Sequence, residues 1–116
     1  MKGLKNVKVY IKNVGVVTTN IGIENGRIAY IGDNAENIEP LFETDGVVLP
    51  GFIDEHIHGA GGADAMDGTV EALQTISEFV AREGTTGFLA TTMTQSPENI
   101  TSALKAVKKI REKGEY

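Results

Sequence analysis

Ten consecutive residues without a charge, Thr85 to Thr94, constrain the fold of this chain most. The run Thr-Thr-Gly-Phe-Leu-Ala-Thr-Thr-Met-Thr is apolar and β-branched, as expected of a strand buried on both faces in a parallel sheet. Ser96-Pro97-Glu98 then forms a compact helix start: a capping residue, a proline at the first helical position and an acid in the first turn. The face of that helix is Ile100, Ala103, Leu104, Val107 and Ile110, and Gly114 stops it. A second helix precedes the strand, starting near Asp67 or Thr69. Its apolar face is Val70, Leu73, Ile76, Phe79 and Val80, and Gly84 ends it. Before that helix, Val47-Val48-Leu49 and Phe52 to His58 read as buried extended chain broken by Pro50-Gly51. The order β-α-β-α predicts a run of parallel βα units.

Upstream of Gly46 the patterning changes period. Lys8 to Ile11 alternates polar and apolar residues, and Val14 to Thr19 is a β-branched stretch. Asn20 to Glu24 and Arg27 to Gly32 flank Asn25-Gly26, a pair that accepts positive φ at both positions and so predicts a tight hairpin. Residues 33–46 are polar and rich in turn formers. Two domains are therefore expected, an antiparallel β part at 1–46 and βα units at 47–116, with no internal repeat.

Composition excludes several classes. The 116 residues carry a net charge of −5 with a pI near 5.0, against a nucleic-acid surface. The one dense basic run, Lys105, Lys108, Lys109, Arg111 and Lys113, falls at a helix C-terminus, where cations complement the dipole. No apolar run is long enough for a membrane span, and no signal peptide follows the N-terminal lysines. Cysteine is absent, which removes disulfides and thiolate ligands and fits a reducing cytoplasm. The hydrophobic content of 41% is enough to build a core.

The two histidines, His56 and His58, lie at i and i+2 on an expected strand. Residues two apart on a strand share a face, roughly 6–7 Å apart at the backbone. Two imidazoles so placed can converge on one metal with bonds of about 2.1 Å. Asp54 shares that face and can orient a histidine as a hydrogen-bond acceptor, whereas Glu55 and Ile57 point the other way. A bare His-X-His pair on a strand is more often two polar residues on a solvated face than a metal site. The metal reading is favoured by position: apolar chain precedes the pair, a glycine loop and a helix follow, and sites in α/β sheets lie at the C-terminal ends of strands. Gly59-Ala60-Gly61-Gly62 fits neither the dinucleotide fingerprint nor the P-loop. Its glycines are expected to let the backbone pass close to metal or substrate. Thr91, Thr92 and Thr94 read as β-formers closing the second strand, with those at its end able to face the site. No Ser/His/Asp or Cys/His arrangement is available.

At this point a resemblance enters. Pro50-Gly51-Phe52-Ile53-Asp54-Glu55-His56-Ile57-His58-Gly59 resembles the first-strand signature of the amidohydrolase superfamily, and Ile23 to Gly32 is similar to the β-sandwich hairpin that precedes the barrel in many members. The segments His58 to Asp67 and Glu83 to Gln95 together resemble the N-acetylglucosamine-6-phosphate deacetylase family. The resemblance implies an α/β chain: part of a small β-sandwich, then the first two βα units of a (β/α)8 metal-dependent hydrolase barrel. It implies His56 and His58 as ligands of a divalent metal, iron or zinc, with Gly59, Gly61 and Gly62 near substrate. The implied reaction hydrolyses N-acetylglucosamine 6-phosphate to glucosamine 6-phosphate and acetate. The family's acidic ligand, two further histidines, catalytic aspartate and phosphate-binding residues fall downstream. No catalytic residue is thus expected within the chain, since a whole barrel takes about 250 residues. The chain is expected to be the N-terminal part of a longer cytoplasmic enzyme, inactive alone, and a homo-oligomer because its open sheet edges need covering. The full-length partner is a small sugar phosphate, with no nucleic acid and no membrane.

Two alternatives accompany this reading. One is another amidohydrolase, dihydroorotase-, aminoacylase- or deaminase-like. The other is a non-catalytic α/β module that associates with itself.

Overall fold

The computed structural model describes residues 1–114, and the chain divides after Pro50 into two compact units.

The first unit is one antiparallel sheet with short parallel additions. Strands β1 (Lys2–Ile11), β2 (Gly15–Glu24) and β3 (Arg27–Gly32) pair in the order β3-β2-β1. Two short strands, β4 (Glu39–Pro40) and β5 (Val47–Val48), pair in parallel with β1. The Asn25-Gly26 hairpin forms as expected, with φ of 51° and 71°, both in the left-handed region that its twist requires. The stretches read as Val14–Thr19 and Asn20–Glu24 form one continuous strand, Gly15–Glu24, with Val14 in the turn before it. In β1, Val7 and Val9 point inward, Lys8 and Tyr10 outward, so period-two patterning places the core. Leu4, Val7, Val9 and Ile21 make that core, with Ile11, Ile23 and Val48 packed on it.

A bulge interrupts β1 between Leu4 and Val7, where Asn6 takes a φ of 52°. The buried Asn20 satisfies the broken ladder. Its Oδ1 accepts the Asn6 N–H at 2.9 Å, and its Nδ2 donates to the carbonyls of Gly32 at 2.9 Å and Asp33 at 3.1 Å. The boundary falls after Pro50 rather than at Gly46, because Val47–Val48 completes the edge of β1. Residues 1–50 form a single five-stranded sheet.

The second unit runs β6 (Phe52–Ile57), β7 (Gly59–Ala60), β8 (Ala63–Asp64), a 3-10 turn (Ala65–Asp67), α1 (Val70–Arg82), β9 (Thr85–Ala90) and α2 (Pro97–Lys113). β6 and β9 pair in parallel, so the expected β-α-β-α order holds. Caps set the helix starts. Thr69 Oγ1 accepts the Ala72 N–H at 3.1 Å, and Ser96 Oγ accepts the Asn99 N–H at 3.2 Å ahead of Pro97. Asp64 and Asp67 close a capping box around the 3-10 turn, so α1 begins at Val70 and not at Asp67. The core joins Ala65, Leu73, Ile76 and Val80 to Ala106 and Ile110, with Ile57, Phe88 and Ala90 of the sheet packed against it.

The helix faces turn slightly from those read in the sequence. Phe79 and Leu104 are exposed, while Ala72 and Ala106 are buried. Small side chains occupy the buried stripe of α2, Ala103 and Ala106, and the larger Leu104 is rotated to solvent. The strands also differ from expectation. Phe52, Ile53 and Leu89 are 66%, 67% and 62% exposed, so neither β6 nor β9 is buried on both faces within this unit. α1 and α2 cover one side of a sheet only two strands wide, and no described residue of the unit covers the other. A groove of about 490 Å³ also opens beside β9, lined by Leu73, Val80, Phe88, Ala90, Val107 and Ile110 among others.

Candidate metal centre

Asp54, His56 and His58 come to the C-terminal end of β6, as the strand reading requires. The β6/β9 register is regular at Ile53↔Gly87 and Asp54↔Phe88, shifts, and resumes at Ile57↔Ala90. His56 lies in that irregular stretch and His58 one residue past the strand. Ile57 packs against the helix core while His56 is exposed, which is the alternation expected of successive strand residues.

The two imidazoles meet edge to face, with ring centroids 5.0 Å apart and an interplanar angle of 86°. Their Nε2 atoms lie 3.3 Å apart. Two nitrogens bound to one tetrahedral cation at about 2.1 Å stand about 3.4 Å apart, so this pair fits a shared cation without rearrangement. Neutral imidazole nitrogen is also a donor that iron and zinc both accept. Among the described residues no group of three or more His, Cys, Asp and Glu side chains gathers to hold a metal. The described residues bring together a pair of candidate ligands and no larger set.

The groups behind the pair are placed differently from the sequence reading. Asp54 Oδ1 accepts the backbone N–H of His56 at 3.0 Å and so holds the strand rather than a ring. A carboxylate on a strand reaches the main chain two residues on more easily than an imidazole that projects away from it. The ring partner of His58 is instead the Thr91 carbonyl, 3.0 Å from Nδ1. Thr91 lies just past β9, which ends at Ala90, so the three threonines follow the strand and do not close it. A backbone acceptor leaves no trace in residue type, and only the pairing of β6 with β9 reveals it.

The glycine segment is not a loose loop. Gly61 and Gly62 have φ of 63° and 84° and form the two-residue turn of the β7–β8 hairpin. Gly59 faces the Ala63 carbonyl so closely that a Cβ would collide with it. Local backbone geometry thus accounts for all three glycines. The acids of the segment, Asp64 and Asp67, are spent on the capping box: Asp64 Oδ1 accepts the Met66 N–H at 2.7 Å, and Asp67 Oδ2 accepts the Asp64 N–H at 2.9 Å.

Known proteins resemble this chain in sequence and in fold. Residues 47–112 match the Amidohydrolase family. An N-acetylglucosamine-6-phosphate deacetylase of Bacillus subtilis is 44% identical over 108 residues, a match covering 81% of this chain and 26% of that protein. The crystal structure of the Thermotoga maritima deacetylase of the same name superposes with a TM-score of 0.73 at 35% identity, covering 97% of this chain and 29% of that one. That of Pasteurella multocida gives a TM-score of 0.79 at 24% identity, over 96% and 30%, a likeness of fold. The chain thus spans about a quarter of the length of the curated relatives it matches.

Proposed function

Since the chain belongs to the amidohydrolase family, we propose that its 116 residues are the N-terminal part of a metal-dependent deacetylase acting on N-acetylglucosamine 6-phosphate. The observation that carries this reading is the 3.3 Å separation of the His56 and His58 Nε2 atoms at the C-terminal end of a βα strand. In this reading β6 and β9 are the first two strands of a (β/α)8 barrel, and β1–β5 belong to the sheet region that precedes it.

His56 and His58 would hold the cation. When bound, that divalent ion, iron or zinc, activates water and polarises the amide carbonyl. Asp54 takes up the His56 N–H beneath the ligands, where the pairing of β6 with β9 is interrupted. The β7–β8 hairpin, with Gly59, Gly61 and Gly62, follows His58 directly, so it borders the space in which a sugar phosphate would sit. Proton transfer and phosphate recognition fall to residues beyond this chain, in the cytoplasm where such substrates occur.

The test is acetate release from N-acetylglucosamine 6-phosphate in the presence of added metal. The 116-residue chain alone is expected to release none, and a longer protein carrying the same residues is expected to turn over until His56 or His58 is replaced by alanine. Turnover by the short chain, or full activity of the alanine variants, would overturn the proposal.

A further inference from the structure

Thr91 joins three otherwise separate pieces of the site. Its N–H donates to the Ile57 carbonyl at 2.8 Å, the last rung between β9 and β6. Its Oγ1 donates to the Leu89 carbonyl at 3.1 Å, fixing the turn out of β9. Its carbonyl faces His58 Nδ1 at 3.0 Å. We infer that Thr91 is a positioning residue, whose carbonyl holds the proton of His58 on Nδ1 and so presents Nε2 as the lone pair at the site. A carbonyl oxygen can only accept, so a bond of this length requires an N–H at Nδ1. Neutral imidazole carries one proton, which leaves Nε2 bare.

Nε2 of His58 lies 3.3 Å from Nε2 of His56, so the lone pair left by the Thr91 contact belongs to the nitrogen that faces its neighbour in the pair.

This inference rests on the metal reading of the pair, but its test is separate from it. Long-range proton–nitrogen correlation spectra of the metal-free 116-residue chain, in mildly alkaline buffer, report each ring's tautomer. His58 is expected with its proton on Nδ1. A His58 proton on Nε2 would overturn the assignment. Thr91→Val keeps the carbonyl and loses only the hydroxyl bond, so the His58 signature is expected to stay. Thr91→Pro removes the N–H that Ile57 accepts and shifts the carbonyl. It is expected to abolish the Nδ1 preference and weaken zinc binding by about 10–100-fold, the effect typical of losing an orienting partner behind a metal ligand. An unchanged signature in a folded Thr91→Pro chain also overturns the proposal. If that variant does not fold, the wild-type spectrum still decides. The expected His58 tautomer with no zinc uptake would defeat the metal reading and leave the Thr91 assignment standing. Zinc uptake through His58 Nδ1 would do the reverse.

Discussion

At the scale of single residues, chemistry and architecture divide between the two units. His56 and His58 are the proposed metal ligands, and their Nε2 atoms lie 3.3 Å apart. Replacing either with alanine leaves a single imidazole, so bound zinc or iron measured by elemental analysis is expected to fall to background in both variants. Equal metal content in wild type and variants would remove the ligand assignment. Asn20 is the architectural counterpart. It satisfies three backbone groups around the β1 bulge from a side chain only 8% exposed. Asn20→Ala removes the side chain that these three groups share. It is expected to destabilise the first unit by about 1–3 kcal/mol in urea denaturation. Asn20 gave no sign of this role in the sequence, where it sits as one polar residue among β-formers.

The elements follow rules that a sequence displays openly. Ser96, Thr69 and Gly114 sit where caps and stops belong, and the Asn25-Gly26 hairpin forms where its dipeptide stands. Ser96→Ala removes the acceptor of the Asn99 N–H and is expected to cost about 1 kcal/mol, measured as a shift of the thermal transition of the second unit. The β7–β8 hairpin was less legible, because Gly59-Ala60-Gly61-Gly62 read as an open loop while its glycines in fact satisfy a two-residue turn. Gly62→Val places a β-branched residue at a φ of 84° and is expected to destabilise the unit by about 1–3 kcal/mol. The helix faces were legible to within a residue or two. Period alone cannot tell whether the buried stripe is centred on Leu104 or Ala106, and the approach of α2 to the rest of the core selects the smaller side chain.

For the molecule as a whole, the deciding feature is what the second unit leaves open. β6 and β9 expose Phe52, Ile53 and Leu89, and a groove beside β9 is lined by core side chains. Apolar surface of this kind is stable only when covered. Light scattering of the purified chain is expected to show self-association, and Ile53→Lys with Leu89→Lys is expected to reduce it. A monodisperse monomer of the wild type would contradict this.

Local chemistry was therefore written in the residues themselves: the change from period two to βα patterning, the hairpin turn, the caps, and the His-X-His pair with its family resemblance. These signals depend on neighbours within a few positions, so a sequence carries them whole. What only the tertiary structure decided depends on residues far apart in the chain. The pairing of Val47–Val48 with β1 moved the boundary between the units. The pairing of β6 with β9 brought Thr91 to His58, 33 positions away. Side-chain identity announces a ligand, but the acceptor that orients it is a carbonyl common to every residue, and only the fold selects which one.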